Sequence, residues 1–182
     1  MKTISILLLS LLLTGCGTQG SNVSNRQLND CSTIRFDSNY KSNTKNFVMP
    51  CLAGSNSFDL KSLRGPMIIN VWGSWCLGCQ DEMPYFVEMY NNSNFKDSKV
   101  QLVGVDVAEN NFAAGSEFAL KNEMTWPNLA DVNNKSKLLF GMGVPVTWFI
   151  DDAGSVIYQR IGAYPDKKTL FNDVTKYFGA KL

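Results

Sequence analysis

The chain has 182 residues, 45% hydrophobic and 18% charged, enough for one globular domain with a real core plus a tail. Lys and Arg number 17 against 16 Asp and Glu, a formal net charge of +1, and neither a basic patch nor an acidic tail points to nucleic acid as a partner. Histidine is absent, which excludes Ser-His-Asp and Cys-His catalysis and every metal site that needs imidazole; cysteine is left as the obvious reactive group.

Lys2 gives a short positive start, and Ile4 to Leu13 is apolar except for Ser5 and Ser10. The run is too short to span a bilayer and matches the apolar core of an export signal. It ends in Leu13-Thr14-Gly15-Cys16, which resembles a bacterial lipobox. That resemblance implies that residues 1–15 are a lipoprotein signal peptide and that Cys16 is acylated, holding the chain on the outer face of the membrane. The alternative is ordinary cleavage that leaves Cys16 a free thiol. Residues 16–30 are expected to be a flexible tether, since Gly17 to Asp30 is rich in Ser, Asn and Gln, with only Val23 and Leu28 clearly apolar. The folded domain is expected over residues 31–182.

Phe47 to Gly54 reads as extended and breaks at Gly54. Ser57 or Asp59 is placed to cap a short helical turn that stops at Gly65-Pro66. Met67-Ile68-Ile69-Asn70-Val71-Trp72 reads as a buried strand, and Gln80 to Tyr90 as a helix. Between them stands Gly73-Ser74-Trp75-Cys76-Leu77-Gly78-Cys79. Unpaired N–H groups of the helix's first turn point towards Cys76, and the helix dipole adds partial positive charge there. Both favour the thiolate, which is the nucleophile. Cys79 lies one turn on, close enough to close a disulfide, so the pair has the arrangement of a dithiol that exchanges with other disulfides.

A Cys-x-x-Cys pair also serves zinc sites and structural disulfides. A zinc site needs two more ligands, and this chain has no histidine and no second pair of that spacing. No metal is expected, and no cofactor beyond the dithiol itself. With Cys16 acylated, Cys31 and Cys51 remain to pair, in an exported context that permits a disulfide. Such a bond is a structural staple worth about 3 kcal/mol on the chain-entropy model, or a second redox pair that trades electrons with Cys76 and Cys79.

Val100 to Val107 reads as a strand, Phe112 to Lys121 as a helix, Trp126 to Asp131 as a short extended piece, and Ser136 to Phe140 as a helix stopped by Gly141. Pro145 precedes a strand that runs to Asp151. Asp151-Asp152-Ala153-Gly154 is a hairpin turn, and Ser155 to Gly162 returns antiparallel. Asp166 to Phe178 closes the chain as a helix that turns Leu170, Val174, Tyr177 and Phe178 to the sheet.

The order of phrases resembles the TlpA/ResA-like family of exported thioredoxin-fold proteins. The phrases are Met49-Pro50 with Gly54, Leu60 with Leu63-Arg64-Gly65, Asn70-Val71-Trp72-Gly73-Ser74-Trp75-Cys76, and Cys79 with Glu82-Met83-Pro84. Cys51, with Cys31 upstream, resembles actinobacterial members. The resemblance implies an α/β thioredoxin-like fold, a central mixed β-sheet flanked by helices on both faces. It makes Pro145 a cis-proline facing the cysteines, beside Val144, whose backbone can pair with a substrate strand. An ordinary trans proline at a strand start is the alternative. It makes Glu82 a carboxylate that tunes the thiols; the alternative is a first-turn Glu that favours the helix dipole. Asn70 stands where thioredoxin has a buried Asp and cannot take a proton. Leu77-Gly78 replaces the usual Gly-Pro, putting an apolar surface beside the thiol and a less rigid first turn; Trp75 adjoins the pair.

The activity implied is thiol–disulfide exchange outside the membrane, in the reducing direction. The substrates would be protein disulfides, apocytochrome c among them, and a membrane thiol transporter would deliver the electrons. The alternatives are an exported oxidant of secreted thiols, a tethered binding module whose disulfide is only structural, and a peroxidase-like redoxin. The last would use a single cysteine in a Thr-containing loop, and no such loop is seen.

Overall fold

The structure, a computed structural model, describes residues 27–43, 47–141 and 143–182. The expected signal peptide, Cys16 and most of the expected tether lie outside the described residues. Among the described residues no helix is long and apolar enough to cross a membrane.

A short hairpin pairs β1 (Val48–Pro50) with β2 (Ser57–Asp59). Asp59 then caps a 3-10 turn, Leu60–Ser62, by accepting the Lys61 N–H. The central sheet follows from β3 (Met67–Trp72), β4 (Gln101–Val107), β5 (Asn128–Asp131), β6 (Val146–Ile150) and β7 (Val156–Ile161), in the order β5-β4-β3-β6-β7. β3, β4 and β5 run parallel; β6 and β7 are antiparallel to their neighbours. The helices are α1 (Leu77–Asn91), α2 (Ser93–Asp97), α3 (Phe112–Lys121), α4 (Lys137–Phe140) and α5 (Lys167–Phe178). The fold is thus the expected thioredoxin-like α/β arrangement around a mixed sheet.

β3 is buried at all six positions, as a strand covered on both faces must be. Its alternate residues feed two separate cores. Ile68 and Trp72 join Met83 and Phe86 of α1, Ala119 of α3, and Leu170 and Val174 of α5. Met67, Ile69 and Val71 join Cys31, Met49, Cys51, Phe58 and, from α4, Phe140. The two covers differ in kind: the long helices share one face, while the other is closed by the amino-terminal hairpin segment and the short α4. Leu28 already packs against the helical core, and Asn29 donates to the Thr125 carbonyl. The domain's packing therefore starts before Cys31, within the stretch assigned to the tether, because Leu28 is one of its few apolar side chains.

Glycine is required where β3, β4 and β5 come together. A Cβ on Gly104 would collide with the Asn128 side chain, whose Oδ1 accepts the Trp72 indole N–H at 3.1 Å. That bond ties the last residue of β3, next to the cysteine turn, to β5.

Candidate functional site

Cys76 is the N-cap of α1, with extended backbone at φ −86° and ψ 110°. Its Sγ accepts the backbone N–H of Cys79 at 3.1 Å. This is the first-turn N–H expected from the strand–helix junction, with sulfur in the place usually taken by a Ser or Asp oxygen. The helix begins at Leu77, three residues before the expected Gln80, because Cys76 is itself the cap. Cys76 and Cys79 are disulfide-bonded, with Cα atoms 5.2 Å apart. Cys79 is 0% exposed and Cys76 6%, so Cys76 is the member of the pair that reaches the surface.

The turn that delivers Cys76 is held from several sides. The Cys76 N–H donates to the Gly73 carbonyl at 3.1 Å, and Gln80 Nε2 to the Ser74 carbonyl at 2.8 Å. The Glu109 carboxylate accepts both the Ser74 N–H, at 2.5 Å, and the Ser74 hydroxyl, at 2.7 Å. The Trp75 indole N–H donates to the Val107 carbonyl at 3.3 Å. Outside this frame Trp75 and Leu77 stand 53% and 75% exposed beside the disulfide.

The Val144–Pro145 peptide is cis. Its loop packs against the first turn of α1: a Cβ on Gly78 would lie 3.4 Å from Pro145 Cδ and 3.5 Å from Ala163 Cβ. The Gly162 N–H donates to the Pro145 carbonyl at 2.9 Å, and Val144 is half-buried beside it. Cys76, Cys79, Gly78 and Pro145 therefore meet at one end of the sheet, with Trp75 and Leu77 at its surface.

Glu82 is wholly buried one turn beyond Cys79. One oxygen accepts Asn70 Nδ2 at 3.0 Å and the other the Tyr164 N–H at 2.9 Å. Burial pushes its carboxyl up to about 7, against the pull of the Tyr164 and Asn70 hydrogen bonds and of the Arg160 charge. A first-turn Glu serving only the helix dipole would face water. Asn70 also donates to Thr147 Oγ1 at 3.3 Å, so the residue that cannot titrate holds one that can.

Cys31 and Cys51 form the second disulfide, with Cα atoms 5.9 Å apart, and are 0% and 2% exposed. Cys51 bridges to Leu129, and the Leu52 N–H donates to the Asn128 carbonyl at 2.8 Å. This disulfide belongs to the hairpin-side core and Cys76–Cys79 to the helical one.

The sequence reading did not single out a group of carboxyls at the carboxyl ends of β4 and β5. Asp106 is 3% exposed, and burial, joined by the negative charges of Glu109 and Asp131, pushes it up to about 8. The visible signal was an acid inside the apolar run Val103-Gly104-Val105-Asp106-Val107. Among the described residues no cluster of His, Cys, Asp or Glu is arranged to hold a metal ion.

Comparison with known proteins fits this geometry. The chain is 34% identical over 119 residues to the thiol-disulfide oxidoreductase ResA of Bacillus thuringiensis, a span of 64% of this chain and 66% of that one. It is 29% identical over 118 residues to the protein of the same name in Bacillus subtilis. The chain thus spans just under two thirds of the length of these relatives. Among solved structures it is similar to MTB dsbF, described in mixed oxidized and reduced forms, at 28% identity and a TM-score of 0.61, covering 72% of this chain and 94% of that one. StoA from Bacillus subtilis shares the fold at 22% identity and a TM-score of 0.57, covering 68% and 92%. Residues 41–159, more than half of the chain, match the model of the AhpC/TSA family, and the protein belongs to that family.

Proposed function

We propose that the protein is a thiol–disulfide oxidoreductase that works in the reducing direction on protein disulfides outside the cytoplasmic membrane. The observation that carries this is the sulfur of Cys76 at the helix cap, accepting a backbone N–H and bonded to a wholly buried Cys79. In the reduced protein the same N–H and the helix dipole favour the Cys76 thiolate. That thiolate attacks one sulfur of a substrate disulfide; the other leaves as a thiolate, and a mixed disulfide forms. The Cys79 sulfur then attacks Cys76, the second substrate thiol leaves, and the Cys76–Cys79 disulfide carries away the two electrons' worth of oxidation. Glu82 accepts the Cys79 proton, its carboxyl being poised near neutrality on the same helix face. Gly78, Pro145 and the Val144 backbone form the wall against which an extended substrate lies, and Trp75 and Leu77 its apolar border.

The dithiol is the redox centre, and neither metal nor added cofactor takes part. Cys31–Cys51 is a structural staple: both sulfurs are closed to an attacking thiolate and lie in the core across the sheet from the active pair. Acylation of Cys16 places the domain at the membrane, with a membrane thiol transporter as reductant and apocytochrome c as a substrate.

The test is the reduction potential of the domain lacking residues 1–20, titrated in thiol–disulfide buffers and read by tryptophan fluorescence. A value below about −230 mV supports a reductase, whereas one near about −120 mV makes the protein an oxidant of secreted thiols. With Cys79→Ala, a mixed disulfide with the substrate should accumulate in cells; absence of any trapped partner counts against exchange through Cys76.

A further inference from the structure

We propose that Arg160 is a positioning residue for Glu82 and acts on it through one peptide group, the one that joins Ala163 to Tyr164. The inference rests on the exchange reading above, in which Glu82 takes the Cys79 proton, and adds to it the residue that keeps this acid ready.

Arg160 stands out first by its direction. Side chains of β7 alternate, with Ile157 and Ile161 on one face and Tyr158 and Arg160 on the other. The isoleucines are 40% and 77% exposed, whereas Tyr158 packs against the helical core. The strand thus turns its charge to the packed side and its isoleucines to water, the reverse of the usual order for a half-buried strand.

The guanidinium lies over the buried Tyr164 ring, 4.5 Å from its centre. Its Nε and a terminal nitrogen donate to the Ala163 carbonyl at 3.3 and 3.1 Å. The N–H of that same peptide, on Tyr164, donates to a Glu82 oxygen at 2.9 Å. One peptide group is therefore held between a cation at its oxygen and a carboxyl at its nitrogen. Each bond polarises the other, and the positive charge favours the ionised acid. Arg160 and Glu82 share no ion pair among the described residues, and this peptide is what joins them.

The sheet holds the acid from its other side. Asn70, Thr147 and Arg160 stand opposite one another across β3, β6 and β7 and share a face. Asn70 donates to the second Glu82 oxygen at 3.0 Å and to Thr147 Oγ1 at 3.3 Å. The turn that Arg160 holds also meets the rest of the site: the Gly162 N–H donates to the Pro145 carbonyl, and Ala163 Cβ lies beside Gly78. Burial raises the Glu82 carboxyl, and the Tyr164 N–H, the Asn70 amide and the Arg160 charge pull it back. The other ionisable groups at hand are Cys79 itself and, around the guanidinium, Tyr158, Tyr164 and Asp173, which accepts the Tyr164 hydroxyl at 3.3 Å. Burial raises both tyrosines above their usual value, so neither titrates between about pH 5 and pH 9.

The experiment uses the full chain, purified in detergent and reduced, with a synthetic peptide disulfide. Acid quenching and mass spectrometry follow the mixed disulfide as it forms at Cys76 and as Cys79 resolves it, from about pH 5 to pH 9. The Glu82 inflection in the resolution rate is the one that Glu82→Gln removes. Arg160→Met, which keeps an apolar stem and loses the charge and the planar fork, should move that inflection up by about one pH unit. Arg160→Lys, which keeps the charge without the fork, should recover only part of the shift. Tyr164→Phe, which keeps the peptide and the ring and loses the hydroxyl, should leave the inflection in place. An inflection that Arg160→Met leaves where it was would overturn this inference alone. So would full recovery by Arg160→Lys, which would put a bare charge in place of the peptide contact. An equal shift in Tyr164→Phe would mark general loosening of the turn and overturn it too. If Arg160→Met fails to fold, Arg160→Lys decides: its inflection should lie above that of the unsubstituted protein, and an unmoved one would overturn the proposal. Exchange with no Glu82-dependent inflection would overturn the role of Glu82 and that of Arg160 with it. No exchange at all would overturn the reading of Cys76 itself.

Discussion

Glu82 shows how far one buried side chain can be followed. Its carboxyl is held near 7 in the folded protein against 4.5 for an ordinary Glu. Between those values the folded chain keeps a proton that the unfolded chain has lost. Its stabilising contribution is therefore complete below about pH 4.5 and is lost as the pH rises through 7. Glu82→Gln should flatten this part of the stability curve and make the oxidised protein more stable at pH 8, by on the order of 3 kcal/mol at most. Asn70 helps the variant fold, because its Oδ1 has no partner and can accept from the new amide. The slope that remains should belong to Asp106, which titrates at about 8 instead of 3.8 and so acts with the same sign. Denaturant unfolding of both proteins from pH 4 to pH 9 checks this. In the same variant, resolution of a mixed disulfide by Cys79 should lose its inflection near neutrality. The spacing of Glu82 from Cys79 was legible in the sequence. Its contacts were not: Asn70 lies on β3 and Tyr164 beyond β7, and no local pattern brings them together.

Elements were legible where hydrophobic period and caps agree. α3 begins after Asn111, whose side chain accepts the Ala114 N–H, and runs over the expected residues. α5 begins after Asp166, whose Oδ1 accepts the N–H of Thr169 at 2.7 Å and its hydroxyl at 2.9 Å. Asp166→Ala should lower stability by about 1 kcal/mol and leave exchange at Cys76 unchanged, measured by urea unfolding beside a peptide-disulfide rate. α1 began earlier than read because a cysteine is a poor sequence signal for a cap and Leu77-Gly78 a poor one for a first turn. Pro84 lies within the same helix and leaves the Gln80 carbonyl without its usual donor. α2 was not anticipated: Asn91-Asn92-Ser93-Asn94 reads as a polar loop, yet the Asn92 side chain accepts the Asn94 N–H and starts a short helix. Which face of the sheet each helix covers is a matter of crossover and packing, and periodicity does not carry it.

The two disulfides set the logic of the whole molecule. One belongs to the helical core, where Cys76 keeps 6% of its surface exposed; the other, at 0% and 2%, is closed within the opposite core, behind the central sheet. A thiolate can reach Cys31 or Cys51 only if the hairpin segment leaves the sheet, and that segment is fastened through Cys51 to Leu129 and through Leu52 to Asn128. Reduction of this bond should therefore be coupled to opening, and reduction of Cys76–Cys79 should not. With graded dithiol reductant and rapid alkylation, mass spectrometry should find Cys76 and Cys79 labelled first. Cys31 and Cys51 should be labelled only as the fold is lost. Replacing both with alanine removes a bond across a sequence separation of 20 residues. The loss expected from a loop of that size is about 3 kcal/mol of stability. The reduction potential at Cys76–Cys79 should stay where it was. A second redox pair would behave otherwise: all four cysteines would titrate together in the native protein, and the alanine variant would shift the potential of the first pair.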